Sequence, residues 1–287
     1  MEMTLQPMSQ AEYAAVERGL GLKLVERDGV FWRQVRPFFF RPILLTHEFS
    51  ATEIGRPFGG LTGFQFALAE PAEANSQINF LMLDGLRDYS LERLGRRRKQ
   101  LLRSASQLFQ VRPLRDLRDF QEQGFRVYRS FYDRTRYSHG DDRKEKQKFH
   151  AWAEKVFSNP KVILLGGYGP DGLVGVSRSY LLGGTLVYDT LFCETEALKK
   201  NLGELMFHAL RTLAAGDPRV AEIYVRNYQG GNSLDQYYLM RGCKLVSKPA
   251  RLVLPAGIGA AVKLFFPRQH AKLAGQLTGP APASASE

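Results

Sequence analysis

Three apolar runs follow one another in the second half of the chain: VILLGGY (162–168), LVGVSRSYLL (173–182) and TLVYDTLF (185–192). Strand-like runs this close together pair with each other, and the helices before and after them must cover the faces of the resulting sheet. From Leu108 the order is a strand (LFQVRPL), a helix (LRDFQEQGFRVYRSFYDR), a second helix (EKQKFHAWAEKVF) and then these three strands. A helix (KKNLGELMFHALRTLA), a strand (EIYVRNY), a short helix (SLDQYYLMRG) and a strand (CKLVSKPARLVL) complete it. This order predicts an α/β or α+β fold, a mixed sheet flanked by helices.

The first 85 residues read differently. Strand-like runs (FWRQVR, PILLTHEF, FQFALAE, INFLML) alternate with turn clusters such as IGRPFGG and EPAEAN, so this part is expected to be mainly β, opened by a helix in SQAEYAAVERGL. From Ser90, SLERLGRRRKQLLRSA carries a leucine stripe on a helical period with arginine crowding the remaining surface. The expected division is a smaller mainly β domain over 1–85, an α/β domain over 86–257, and a C-terminal extension over 258–287. The tail of that extension, from Gly275, is small and polar and is expected to be disordered.

The net charge of +11 attracts nucleic acid, anionic membrane surfaces and acidic metabolites alike, so charge alone does not choose a partner. Two cysteines, Cys193 and Cys243, are too few for a disulfide framework. The first twenty residues hold Glu2, Glu12 and Glu17 and no unbroken apolar run, and PFFFRPILL is interrupted by Arg41 and too short to span a bilayer. The expectation is a soluble cytoplasmic protein without a transmembrane segment, with a peripheral place at a membrane left open.

Several motifs fail on context. GYGPDG (167–172) fits G-x-G-x-x-G, but Pro170, Asp171 and Gly172 sit between two strand-like runs and read as a hairpin turn rather than the opening of a helix. His47, His139, His150, His208 and His270 show no ligand pairing, so no metal is expected, and no G-x-S-x-G elbow is present. The run RLGRRRKQLLR (93–103) binds phosphates if its arginines share a face, or is a solvated helix packed by its leucines; no aromatic platform interleaves with it.

KKNLGELMFHALRTLA (199–214) is the most informative helix. Leu202, Leu205, Met206, Ala209, Leu210 and Leu213 recur at the spacing of one buried face. A helix start leaves backbone N–H groups without internal partners and carries partial positive charge, so Lys199, Lys200, Asn201 and Gly203 there are either a phosphate cradle or an ordinary capped start with solvated lysines.

The element order, with LGELMFHAL after one strand and NSLDQYYLMRGCKL after the next, resembles the GNAT superfamily of acyl-CoA N-acyltransferases. There a loop of pattern [QR]-x-x-G-x-[GA] opens the central helix, and a later helix carries a tyrosine four residues before a glycine. The loop falls on Leu198, Lys199, Lys200, Asn201, Leu202 and Gly203, and the tyrosine on Tyr238, with Gly242 and Cys243 closing the motif. Leu198 replaces the polar first position, Asn201 the first glycine and Cys243 a phenylalanine. The basic helix leading into a strand, and the helix ending in FYDRTRY, are similar to the Fem-type peptidoglycan aminoacyltransferases, over roughly residues 86–257.

The resemblance implies a chemistry. An amine attacks a thioester carbonyl directly, so three tasks fall to the protein: taking the amine's proton, polarising the carbonyl and protonating the thiolate. By resemblance Tyr238 is the acid, the strand ending Leu191, Phe192 and Cys193 holds the pantetheine arm, and Asp189 and Glu194 are candidate bases. Acyl-CoA is the implied co-substrate and an unspecified amine the acceptor. The Fem-like alternative is aminoacyl transfer from charged tRNA, with contacts through Arg96, Arg97 and Arg98; a catalytically silent binding module is the third reading. Read on its own, Tyr238 is equally a packed tyrosine on a short amphipathic helix, and Asp189 a strand aspartate facing solvent.

Overall fold

The computed structural model describes residues 3–52, 54–58, 62–135, 141–255 and 257–276. Arg136 and Tyr137 of the FYDRTRY run, His139 and the tail over 277–287 lie outside the described residues. In chain order the elements are β1 (Pro7–Met8), α1 (Gln10–Gly19), β2 (Leu24–Arg27), β3 (Val30–Arg36), β4 (Phe39–Pro42), β5 (Glu48–Phe49), β6 (Gly63–Leu68), β7 (Ser76–Leu83), α2 (Arg96–Leu108) and β8 (Gln110–Pro113). There follow α3 (Leu117–Thr135), α4 (Lys146–Phe157), β9 (Ile163–Gly169), β10 (Gly172–Leu182), β11 (Thr185–Cys193), α5 (Thr195–Lys199) and α6 (Leu202–Ala215). The last elements are β12 (Glu222–Asn227), α7 (Ser233–Leu239), β13 (Lys244–Val253), α8 (Ile258–Phe265) and α9 (Pro267–Leu273).

The described residues form two compact units, each assembled from two stretches of chain: Met1–Ser9 with Asp84–Tyr224, and Gln10–Leu83 with Val225–Glu287.

In the first unit, β8, β9, β10 and β11 are successive antiparallel neighbours, β12 runs parallel to β11, and β1 pairs with the end of β10. GYGPDG is a hairpin turn: Gly172 pairs with Gly169 and takes φ 101°, a conformation glycine adopts without a Cβ penalty. The two faces of this sheet are covered differently. Phe192 of β11 packs against Phe120, Tyr128 and Phe131 of α3 and Trp152 of α4, with ring centroids 5.7 to 6.4 Å apart. Neighbouring strand residues point to opposite faces, so Cys193 and its cross-strand partner Gly175 face the other way, toward α6. A Cβ on Gly175 would stand 2.7 Å from Leu202 Cδ2 and 3.0 Å from Cys193 Sγ, so only glycine admits α6 this close. α2 starts later than the sequence suggests: Leu91–Arg93 is a 3-10 turn, and Gly95 stays extended as the N-cap, as expected for a residue with low helix propensity.

The second unit holds the strands β2-β3-β4-β6-β13-β7 in that spatial order, with β5 on β6. The late strand β13 lies antiparallel to both β6 and β7. Trp32, Phe40, Phe64, Phe66 and Leu68 make its core, with Trp32 edge-on to Phe64 at 5.5 Å. PILLTHEF is not one strand: β4 stops at Pro42, and the His47 N–H turns back to Leu44 O at 3.4 Å before β5. The C-terminal extension carries two short helices, α8 and α9, that hydrophobic periodicity does not announce.

Candidate functional site

The start of α6 in the first unit gathers most of the residues the sequence singles out. Asn201 takes the left-handed conformation, φ 66° and ψ 24°, and its side chain makes no capping bond. Asparagine is among the few residues that enter that region readily, so it serves here in place of glycine. The preceding turn is closed on itself: Lys200 N–H donates to Ala197 O at 3.2 Å and Asn201 N–H to Leu198 O at 3.0 Å. At the other side Glu204 and Leu205 N–H groups share Asn201 O, at 3.1 and 3.3 Å. The N–H groups of Leu202 and Gly203 have no backbone partner among the described residues, and the helix dipole adds partial positive charge where they sit. This mouth offers two backbone donors, those of Leu202 and Gly203. It is shorter than the loop the sequence suggests, because Leu198 and Lys199 belong to α5 and the turn after it consumes two donors.

The lysines flank this mouth on the surface. Lys199 Nζ pairs with Glu196 at 2.7 Å, both largely exposed, and Lys200 is exposed at the end of α5. An exposed pair of this kind contributes little to stability, so Lys199 remains available to an anion at small cost. Leu202 and Gly203 are both buried; the Leu202 side chain lies over Gly175 and Gly167 of the sheet.

β11 approaches from beside the helix. Its parallel pairing with β12 ends at Val187↔Tyr224, so residues 188–193 have no ladder partner on that side among the described residues, while all of them but Asp189 remain paired with β10 on the other. Leu191, Phe192 and Cys193 lie on this half-paired stretch. A strand edge of this kind is not closed by a second ladder. Cys193 is fully buried, and burial pushes its thiol up to about 12, with Arg134 acting weakly in the opposite direction. At neutral pH it is a protonated thiol and no nucleophile.

The two carboxylates differ. Asp189 stands at a bulge, the extra residue opposite the Arg178/Ser179 step of β10. Its Oδ2 accepts from Arg178 Nη2 at 2.5 Å, Arg178 Nε at 3.0 Å and Thr190 Oγ1 at 2.6 Å. Arg178 is only 7% exposed, so this pair is largely shielded from water and the carboxylate is committed to it. Glu194, next after β11 and the N-cap of α5, has one ion pair, to Arg126 Nε at 2.8 Å, and Arg126 is itself half-exposed.

Tyr238 belongs to the second unit. It lies near the end of α7, 8% exposed, with its ring perpendicular to Tyr237 at 5.0 Å. Gly242, at φ 85°, follows, and the Cys243 N–H returns to Tyr238 O at 3.2 Å, closing the helix in the manner of a left-handed C-cap. The spacing from Tyr238 to Gly242 thus has a local structural cause. Sequence reading passed over Asp235, fully buried three residues earlier; its Oδ2 accepts from the N–H groups of Gln229 (2.8 Å) and Gly231 (3.0 Å). The signal available was the pair of glycines before NSLD, which marks a loop needing buried hydrogen-bond support.

Arg96, Lys99 and Arg103 line one face of α2 together with Gln100, Ser104 and Gln107, with Lys99 half-buried and the two arginines exposed. Arg97 is also exposed and Arg98 half-buried, and neither lines that face, so the three consecutive arginines do not share it. Among the described residues no group of three or more His, Cys, Asp or Glu could hold a metal ion, and no helix is long and apolar enough to cross a membrane.

No family model matches the chain, and no curated protein matches it in sequence. Solved structures do match it in fold. The C-terminal domain of a putative lysylphosphatidylglycerol synthetase from Agrobacterium fabrum aligns at TM-score 0.55 and 11% identity, over 96% of this chain and 95% of that one. L-PGS from Bacillus licheniformis aligns at 0.54 and 13%, over 96% and 100%. A conserved protein of unknown function from Bacteroides thetaiotaomicron aligns at 0.57 and 10%, over 85% and 90%. At such identities the likeness is one of architecture alone, a mixed sheet flanked by helices.

Proposed function

We propose that this chain is an N-acyltransferase that moves an acyl group from acyl-CoA to an amine by direct attack on the thioester. The observation that carries the reading is the mouth of α6, where left-handed Asn201 leaves the Leu202 and Gly203 N–H groups unpartnered beside exposed Lys200. Those donors suit one phosphate of the carrier. The half-paired stretch of β11 over 188–193 suits an extended amide-bearing arm, with Leu191, Phe192 and Cys193 contributing backbone groups only.

Of the two carboxylates, Glu194 is the better proton acceptor for the amine, since Asp189 is taken up by Arg178 and Thr190. Asp189 then acts by fixing the bulge and Arg178. The role of Tyr238 as acid for the leaving thiolate rests on the sequence pattern. Its test is Tyr238→Phe: transfer from acetyl-CoA or a longer acyl-CoA to an amine is expected to slow by about a hundredfold, with unfolding by urea little changed. Unchanged turnover removes Tyr238 from the mechanism, and absence of acyl-CoA binding by calorimetry removes the reading itself.

The basic face of α2 supports a second reading, aminoacyl transfer from charged tRNA. It predicts tRNA binding that weakens steeply with salt and with charge reversal at Arg96, Lys99 and Arg103. The acceptor amine belongs to both readings.

A further inference from the structure

The C-terminal helix pair of the second unit contradicts the usual relation between apolarity and burial. α8, IGAAVKLF, has a single charged residue, yet none of its residues is buried. A helix apolar nearly all round belongs inside a core or against an apolar medium. Ile258 is 48% exposed, Leu264 73%, Phe265 70% and Phe266 55%, and three of these four are consecutive at the bend into α9.

The pair is not a frayed end. α8 begins where Leu254 packs against Gly63 and Gly259, and α9 is fastened at its far end. There Gln77 N–H donates to Ala274 O at 2.8 Å, Gln65 Nε2 to Leu273 O at 3.0 Å, and Asn79 Nδ2 to Gly275 O at 2.6 Å. Ala274 is buried with Phe39 and Leu252. Two anchored ends therefore hold an apolar tip out in water.

The charges beside the tip choose among occupants. Lys263, Arg268 and Lys272 are all exposed, and no Asp or Glu occurs between residues 257 and 276. A second copy of the same surface would bring these cations against their own kind. An acid-free, cation-flanked apolar tip is complementary to the headgroup region of an anionic bilayer, where aromatic and aliphatic side chains enter the acyl boundary and lysine and arginine stay at the phosphates. We infer that the α8–α9 tip is a peripheral docking element for anionic membrane surfaces, with Leu264, Phe265 and Phe266 as the inserted residues and Lys263, Arg268 and Lys272 as phosphate contacts. The inference concerns where the chain sits and is independent of the donor and acceptor of any transfer.

Co-sedimentation tests it, using vesicles of phosphatidylcholine alone and of phosphatidylcholine with phosphatidylglycerol at about three to one. The full chain is expected to pellet with the mixed vesicles and to weaken with salt. The triple variant L264S/F265S/F266S should bind roughly tenfold less or worse, with its thermal midpoint unchanged because all three side chains are exposed. The triple variant K263E/R268E/K272E should lose the preference for anionic vesicles and provides the same test without touching an apolar side chain. Equal pelleting of the wild type and both variants overturns the inference. So does a dimer of the full chain that L264S/F265S/F266S renders monomeric without any vesicle binding by the wild type.

Discussion

Among the described residues, two helices begin with an asparagine, one in each unit, and use it in opposite ways. Before α7, Asn232 is extended (φ −63°, ψ 171°) and its side chain accepts from Asp235 N–H at 2.9 Å. Asp235 in turn satisfies the amides of Gln229 and Gly231. Before α6, Asn201 is left-handed, its side chain caps nothing, and two amides are left without backbone partners. The first arrangement takes up the N–H groups of Gln229, Gly231 and Asp235 in holding a loop in place. The second withholds donors, and a helix start that withholds donors is disposed to take an anion. Residue type alone therefore does not distinguish a cap from a binding mouth; backbone conformation does.

The largest expected effect separates the two on stability. Asp235→Ala removes a fully buried carboxylate 3.6 Å from Arg226 and strands two amides, so urea unfolding should report a loss of about 3–5 kcal/mol. A loss below about 1 kcal/mol would mean that the loop does not depend on it.

The paired asparagines then differ in what causes the cost of alanine and in whether glycine costs anything. Asn232→Ala should cost about 1 kcal/mol and Asn232→Gly a few tenths, through loss of the cap. At position 201 alanine should also cost about 1 kcal/mol, from backbone strain at φ 66°, but glycine should be neutral or stabilising. If glycine at 201 is as costly as alanine, the side chain of Asn201 has a partner in solution and the contrast fails.

The smallest effect concerns the middle of α6, which is closed where its start is not. His208 Nδ1 lies 2.6 Å from the Tyr89 hydroxyl, and Arg211 lies 3.8 Å over the Tyr89 ring. Burial first, and the Arg211 charge second, lower the His208 pKa below 6.5. The folded state thus binds its proton later than the unfolded state as pH falls. The stabilising contribution is complete above about pH 6.5 and is lost on descending through the folded value. Thermal midpoints between about pH 7.5 and 5 should fall less for His208→Gln than for the wild type. Parallel curves would remove His208 from that account.

Much of the first unit was legible because its signals are local. The stripe Leu202, Met206, Leu210 and Leu213 is the buried face of α6, and Pro170-Asp171-Gly172 is the turn between β9 and β10. What was not legible depends on distant partners. Nothing in CKLVSKPARLVL says that β13 enters between β6 and β7, which come from the first third of the chain. Nor does DTLFC reveal that Asp189 sits at a bulge against Arg178, since a bulge is a property of two strands. The loop pattern at 198–203 located the helix mouth, but the extra turn of α5 that consumes two of its amides follows from backbone hydrogen bonds invisible in residue spacing. Residues 258–287 are expected from sequence only as an extension, and α8 within it is an apolar helix none of whose residues is buried.

Leu202 is the first residue of α6 and rests on Gly175 and Gly167. A one-residue slide of the helix along its axis would drive its branched end into Cys193 or off the glycines altogether. The depth of the mouth is thus dictated by the strands beneath it, so any anion bound there would meet a geometry fixed by the sheet rather than one sampled by a loop.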